Sequence, residues 1–270
     1  MKRIIPIWLG TLLLGLPAPW QQTVAQTPAG LQDFPGASVD DVIVPVPSEV
    51  FNVLDKLGSP DWRGQFQKSL GKSTGSRPQI ALLLGNVIAE GFVAVEAEDS
   101  ERVKDIGREV LNLAGAINVR EAVIARSKSI TEKAERKRWG EVRREFDGAL
   151  QDVRGAMVEL DDEDLAQLVS LGGWIRGTQV LTSIVSQDFH PDKAELLHQP
   201  ELVAFFTRRI DAMPPNLRSH PLVLRIRETL PKIRPLIGER DGSSITPEQV
   251  KELHTLSSEL VEAISGNPAS

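Results

Sequence analysis

The chain contains no cysteine and no tyrosine. Without cysteine there is no disulfide, no thiolate nucleophile, no cysteine-bound metal and no lipid attached through a cysteine. Stability has to come from burial alone. Aromatic residues make up 5% of the sequence, and beyond residue 25 the only tryptophans are Trp62, Trp139 and Trp174. Sugar-binding faces are built on exposed aromatic platforms, so this scarcity argues against a dedicated carbohydrate binder. Basic residues are in deficit, 31 Lys and Arg against 37 Asp and Glu, for a formal net charge of −6. Phosphate-rich partners demand a basic face, which disfavours nucleic acid and anionic lipid. The alternating runs and hairpin turns of a β protein are missing throughout.

What is present begins with an address. Lys2 and Arg3 precede an apolar run from Ile4 to Leu16, which Pro17, Ala18 and Pro19 break before the small residues of Thr23-Val24-Ala25. That order is a secretory signal peptide over residues 1–25. The run falls short of the ~20 residues a membrane-spanning helix needs. The expectation is an exported protein, periplasmic or extracellular, starting near Gln26, with no integral membrane segment after cleavage. Losing Lys2 and Arg3 moves the formal charge from −6 to −8. About 245 residues remain, enough for a sizeable core.

Residues 26–47 hold Pro28, Pro35, Pro45 and Pro47 and read as an extended tether. Its one apolar triplet, Val42-Ile43-Val44, is expected to lie as a strip on the body rather than to form an edge strand. From 48 to 265 the punctuation is helical, and one all-α domain is expected, a bundle of about eight helices with 266–270 as a disordered tail. Ser48 opens a helix that Gly58 stops, and Ser59-Pro60-Asp61 opens a short one through Leu70. Pro78 begins a strongly apolar helix, and Asp99 or Ser100 caps the next. The charged stretch from Val119 to Glu159 reads as a helical hairpin or one kinked helix, broken at Trp139-Gly140. Asp161 and Asp162 precede a second very apolar helix to Val185. Pro191, Pro200, Pro221 and Pro247 mark further starts, with a capping box at Thr246-Pro247-Glu248-Gln249.

Two helices, Pro78 to Glu98 and Asp164 to Val185, are apolar on nearly every side, which places them at the centre of the bundle. They share a short similarity, Leu84-Gly85-Asn86-Val87-Ile88-Ala89-Glu90-Gly91 against Leu171-Gly172-Gly173-Trp174-Ile175-Arg176-Gly177. Glycines let helix backbones approach closely. The expectation is that the central helices cross at these glycines and that Glu90 meets Arg176 there, since a buried carboxylate needs a partner. Gln79, Asn86 and Glu90 form the narrow polar strip of the first helix. Together with Arg176 they are the candidate ligand-binding residues.

Other motifs weigh less. Gly71-Lys72-Ser73-Thr74 resembles the end of a phosphate-binding loop, but Phe66 stands where its first glycine belongs. Ser69-Leu70-Gly71-Lys72 has a serine–lysine spacing without the partner motifs of that chemistry. The acids from Glu159 to Asp164 lack the glycine and spacing of a calcium loop and suit helix capping. His190, Glu195 and His198 cluster in sequence, and Glu195 with His198 has the i, i+3 spacing of carboxylate-bridged metal bundles, so they form the candidate metal set. The interleaved charges from Lys133 to Arg144 support a solvent-exposed helix.

The leading expectation is a non-enzymatic exported helical protein that binds a partner protein or small ligand in the cell envelope, with no cofactor. The alternatives are a scaffold or assembly factor acting through the charged hairpin 119–159, and a metal-dependent hydrolase using the 190–198 cluster.

Overall fold

A computed structural model of the chain describes residues 37–39, 42–44, 47–71, 74–238 and 244–266. Residues 1–36, 40–41, 45–46, 72–73, 239–243 and 267–270 lie outside them, and with them the expected signal segment, most of the Pro-rich stretch and most of the expected tail. The body is helical: α1 (Pro47–Asp55), α2 (Arg77–Glu96), α3 (Ser100–Ala116), α4 (Arg120–Glu135), α5 (Trp139–Glu159), α6 (Glu163–Gln187), α7 (Pro191–Ala194), α8 (Pro200–Ala212), α9 (Pro215–Arg218), α10 (Pro221–Ile233) and α11 (Pro247–Ser265). Eight of these run 13 residues or more.

Helices start where proline or a capping side chain dictates. Ser76 Oγ accepts from Gln79 N and Asp99 Oδ1 from Arg102 N at 3.0 Å, and each leads into its helix. Thr246 and Gln249 exchange both bonds of the capping box. Pro191, Pro200, Pro221 and Pro247 each occupy the first turn of a helix. The charged stretch is a hairpin of α4 and α5, turning at Arg136–Arg138. Arg126 and Lys133 on α4 clamp Glu145 of α5, and Arg126 also reaches Asp152 at 2.8 Å.

The helix ends share one device. Glu98, Asn118, Lys137 and Asp161 each adopt positive φ, between 49° and 68°. The residue after each donates its N–H five positions back: Asp99 to Ala94 O, Val119 to Ala114 O, Arg138 to Lys133 O and Asp162 to Met157 O, at 2.9–3.0 Å. This is the Schellman closure, in which glycine ordinarily takes the left-handed position. Each side chain held there costs about 1 kcal/mol. The same link therefore joins α2 to α3, α3 to α4, α4 to α5 and α5 to α6.

Successive helices from α2 to α5 pack side by side, and α6 returns to lie on α2, with α11 on its other flank. The two apolar helices are thus central. Leu82, Leu83, Leu84 and Val87 of α2 and Leu168, Leu171, Ile175 and Val185 of α6 are fully buried. Alone among the described helices α2 is long and apolar enough to cross a membrane, and it spends that surface inside the body. The two helices cross at glycine: a Cβ on Gly85 would lie 1.8 Å from Val169 O, and one on Gly172 would lie 2.0 Å from Leu82 O. Gly91 and Gly177, the other glycines of the sequence similarity, do not share the crossing. Gly91 faces the Phe146 ring and Gly177 meets nothing within 4 Å.

Two local expectations are corrected. Residues 59–70 do not form a helix beyond one 3-10 turn, Arg63–Gln65. Asp61 Oδ1 takes Gly64 N–H at 2.9 Å, and the peptide groups of 65–67 bond to distant charged side chains described below. Val42–Val44 is a strand after all, paired antiparallel with Ala37–Val39 and running beside α8.

The crossing sets a sharp contrast between glycines. Gly85→Ala and Gly172→Ala should each destabilise the protein by on the order of 3 kcal/mol or more, because backbone carbonyls must retreat. Gly177→Ala should stabilise it by up to ~1 kcal/mol through helix propensity. Urea denaturation of the three variants beside the parent measures both effects.

Candidate functional site

Glu90 is fully buried, and all of its acceptor capacity is used by protein. Arg176 of α6 donates to Oε2 from Nη2 at 2.7 Å and from Nε at 3.3 Å. Arg102 of α3 and the backbone N–H of Gln67 donate to Oε1, the latter at 2.9 Å. The guanidiniums then bind the strap before α2, Arg102 to Gln67 O and Arg176 to Gln65 O. On its far side Arg176 donates to Gln179 Oε1 at 2.7 Å, and Gln179 Nε2 donates to Ser258 Oγ of α11. A polar seam thus runs from α3 through α2 and α6 to α11. Burial pulls the Arg176 guanidinium below its ordinary range, and the Glu90 carboxylate opposes that.

The expected meeting of Glu90 and Arg176 is therefore present, but it is a closed arrangement. Asn86, one turn earlier on α2, is fully buried with neither amide atom bonded. Gln79 stands two turns further back, half-buried beside Gly75. Of the four, Glu90 and Arg176 bond to each other within the seam, Asn86 takes no part in its bonds, and Glu90 keeps no free oxygen.

The candidate metal set is not assembled. The helix that would have aligned Glu195 with His198 stops at Leu197, so His198 lies beyond it, against Gly238. His190 accepts from Asp192 N as the cap of α7 and is 61% exposed. Among the described residues no three His, Cys, Asp or Glu side chains stand where they could hold a metal ion. His220 stands at the N-cap position of α10 without a side-chain capping bond; its Nε2 pairs with Ser76 Oγ at 2.7 Å, and burial lowers its pKa.

A different place has the form of a binding site. A cleft of about 490 Å³ opens between the Gly58–Trp62 segment, the exit of α2 at Val95–Glu98 and the first turns of α5. Trp62 and Trp139 both line it. Trp62 is 7% exposed, while the indole N–H of Trp139 is buried without an acceptor. At the polar end Arg143 makes two parallel bonds of 2.8 Å to Asp55 and a third of 2.6 Å to Glu96 Oε1. Its guanidinium also sits 4.8 Å over the Phe51 ring. That ring packs with Phe92 and Phe146, which ties α1, α2 and α5 together. Burial pushes the Glu96 carboxyl up to about 7; Arg143 opposes the rise, while Asp55 and Glu98 add to it. Asp55 moves the other way, lowered by its bond to Arg143.

Sequence reasoning missed this cleft because it is assembled from three separated segments. The available signals were Glu96 at the end of an otherwise apolar helix and two of the three tryptophans of the body. Perturbed carboxyls beside aromatic walls in a concavity of this size make it the candidate binding site. No family model, no curated protein and no solved structure matches this chain. Its geometry carries the functional argument alone.

Two measurements separate the seam from the cleft. Glu90→Ala and Arg176→Ala should each cost about 3–5 kcal/mol, and the double variant much less than their sum, because each single change strands a buried charge. Chemical denaturation of the full mutant cycle tests this. At the cleft, Glu96 binds its proton more tightly folded than unfolded, so its contribution to stability is lost as pH rises from about 4.5 to about 7. Across that window Glu96→Gln should gain on the parent by on the order of 1–3 kcal/mol and then level off, as read from denaturation midpoints against pH.

Proposed function

We propose that the chain is an exported, non-enzymatic helical protein of the cell envelope that binds a small ligand in the Trp62–Trp139 cleft. The observation that carries this is the cleft itself, where two of the three body tryptophans meet a perturbed carboxyl and an arginine. Binding is favoured over turnover by the lining, in which Ser59 is the sole hydroxyl and no histidine takes part. The signal segment supports export. The hairpin 119–159 supports a scaffold less well, because many of its charges pair within it: Arg126 and Lys133 with Glu145, Arg126 with Asp152, Lys128 with Glu132 and Arg138 with Glu141.

Native mass spectrometry on the chain isolated from its own envelope fraction tests the reading. A defined small adduct is expected on the parent and is expected to vanish in Gly140→Phe. Gly140 lines the cleft and a Cβ there meets nothing within 4 Å, so a bulky side chain can enter the space, and a denaturation midpoint equal to the parent's checks that the fold is kept. A bare chain that also fails to pick up any molecule from a small-molecule extract of the same cells would overturn it.

A further inference from the structure

The charges around the cleft say what enters it. Glu96 at the end of α2 and Glu98 in the link that follows line its polar end, and Asp55 at the end of α1 is near enough to act on Glu96. They face one guanidinium, Arg143 of α5, whose Nη1 is committed to Asp55 and whose Nη2 is committed to Asp55 and Glu96. The face of Arg143 is covered by the Phe51 ring. An anion entering here would meet surplus carboxylates and a guanidinium already bonded. A cation would meet that surplus beside two indoles, and indole is the strongest of the aromatic faces for a positive charge.

Resting on the cleft reading, we propose that the occupant is a small organic cation carrying an ammonium group. The ammonium sits against the Trp62 and Trp139 side chains beside Glu96 and Glu98. A cleft of about 490 Å³ suits a molecule of that size. It also couples binding to a proton. The Glu96 carboxyl holds its proton up to about pH 7, and the groups facing it are Arg143 from α5, Asp55 from α1 and Glu98 beyond its own helix. Arg143 keeps its charge throughout, its pKa raised above the ordinary value first by the Asp55 bond. The cation selects ionised Glu96, so the proton leaves to solvent as the ligand binds and affinity rises with pH.

Calorimetric titration of the full chain with choline, and with its neutral carbon isostere dimethylbutanol, tests the inference. Near pH 8 choline should bind about tenfold or more tightly than the isostere. Toward pH 6 its affinity should fall by up to about tenfold, with heats that depend on the ionisation enthalpy of the buffer. Glu96→Gln keeps an acceptor for Arg143 and should bind choline with a flat pH profile. Glu98→Gln, at an exposed position, should weaken choline and spare the isostere. Gly140→Phe should abolish both. Equal binding of choline and isostere, choline binding that survives Gly140→Phe, or no choline binding would each overturn the cation assignment. If an extract molecule still binds and is lost in Gly140→Phe, the cleft reading stands and the cation alone falls. If no small molecule binds, both fall.

Discussion

The contact between the backbones of α2 and α6 is the constraint on which the other features depend. With Leu82 O resting where a Gly172 side chain would be, and Val169 O where a Gly85 side chain would be, the helix axes come as close as backbones allow. About one turn beyond that crossing, Glu90 and Arg176 are brought within hydrogen-bonding reach and out of water together. A charge pair in that position has to satisfy its remaining donors and acceptors locally, and it does so by seizing the backbone of residues 65–67 and the guanidinium of Arg102. The strap so pinned leads back to Trp62, one wall of the cleft. A close packing of glycines thus positions a surface feature through a chain of bonds that can each be named.

The two charge clusters differ in kind. At Glu90 each carboxylate oxygen is matched by donors and the side chain is sealed, so the group contributes to the shape of the fold and has little left to offer a ligand. At Glu96 there are three carboxylates to one guanidinium, and burial works against charge without extinguishing it. An arrangement short of positive charge at the edge of a concavity responds to what arrives there. An arrangement fully matched at the centre of a bundle does not.

Much of the architecture was legible in the sequence, and its limits have physical causes. Helix starts could be read because proline, Ser76, Asp99 and Thr246 act within a few residues of themselves. The central pair and its meeting of Glu90 with Arg176 could be read because an isolated charge on an all-round apolar helix has few solutions. Helix ends were harder, since the left-handed positions hold Glu98, Asn118, Lys137 and Asp161 where glycine would have announced them. Residues 59–70 misled because their backbone bonds go to side chains far along the chain, Glu90, Arg102 and Arg176. The cleft could not be read at all: Trp62, Glu96 and Trp139 meet only once α1, α2 and α5 are packed. The His190, Glu195 and His198 pattern failed because its spacing presumed one more turn of helix than the chain makes.

The repeated link between helices bears on the order in which the molecule assembles. From α2 to α5 each helix docks on its predecessor through the same short connection, so those contacts are local and cheap in loop entropy. The pairing of α6 with α2 is the opposite case, joining Glu90 to Arg176 across 86 positions. A chain built in this way zips through its antiparallel neighbours quickly and then waits for its long-range closures, α6 on α2, α11 on α6 and α1 on α5. Until the first of these occurs, α2 carries an uncovered apolar surface of membrane-spanning length. For a chain proposed to be exported, the time before α6 covers α2 is the interval of greatest exposure to aggregation and to lipid.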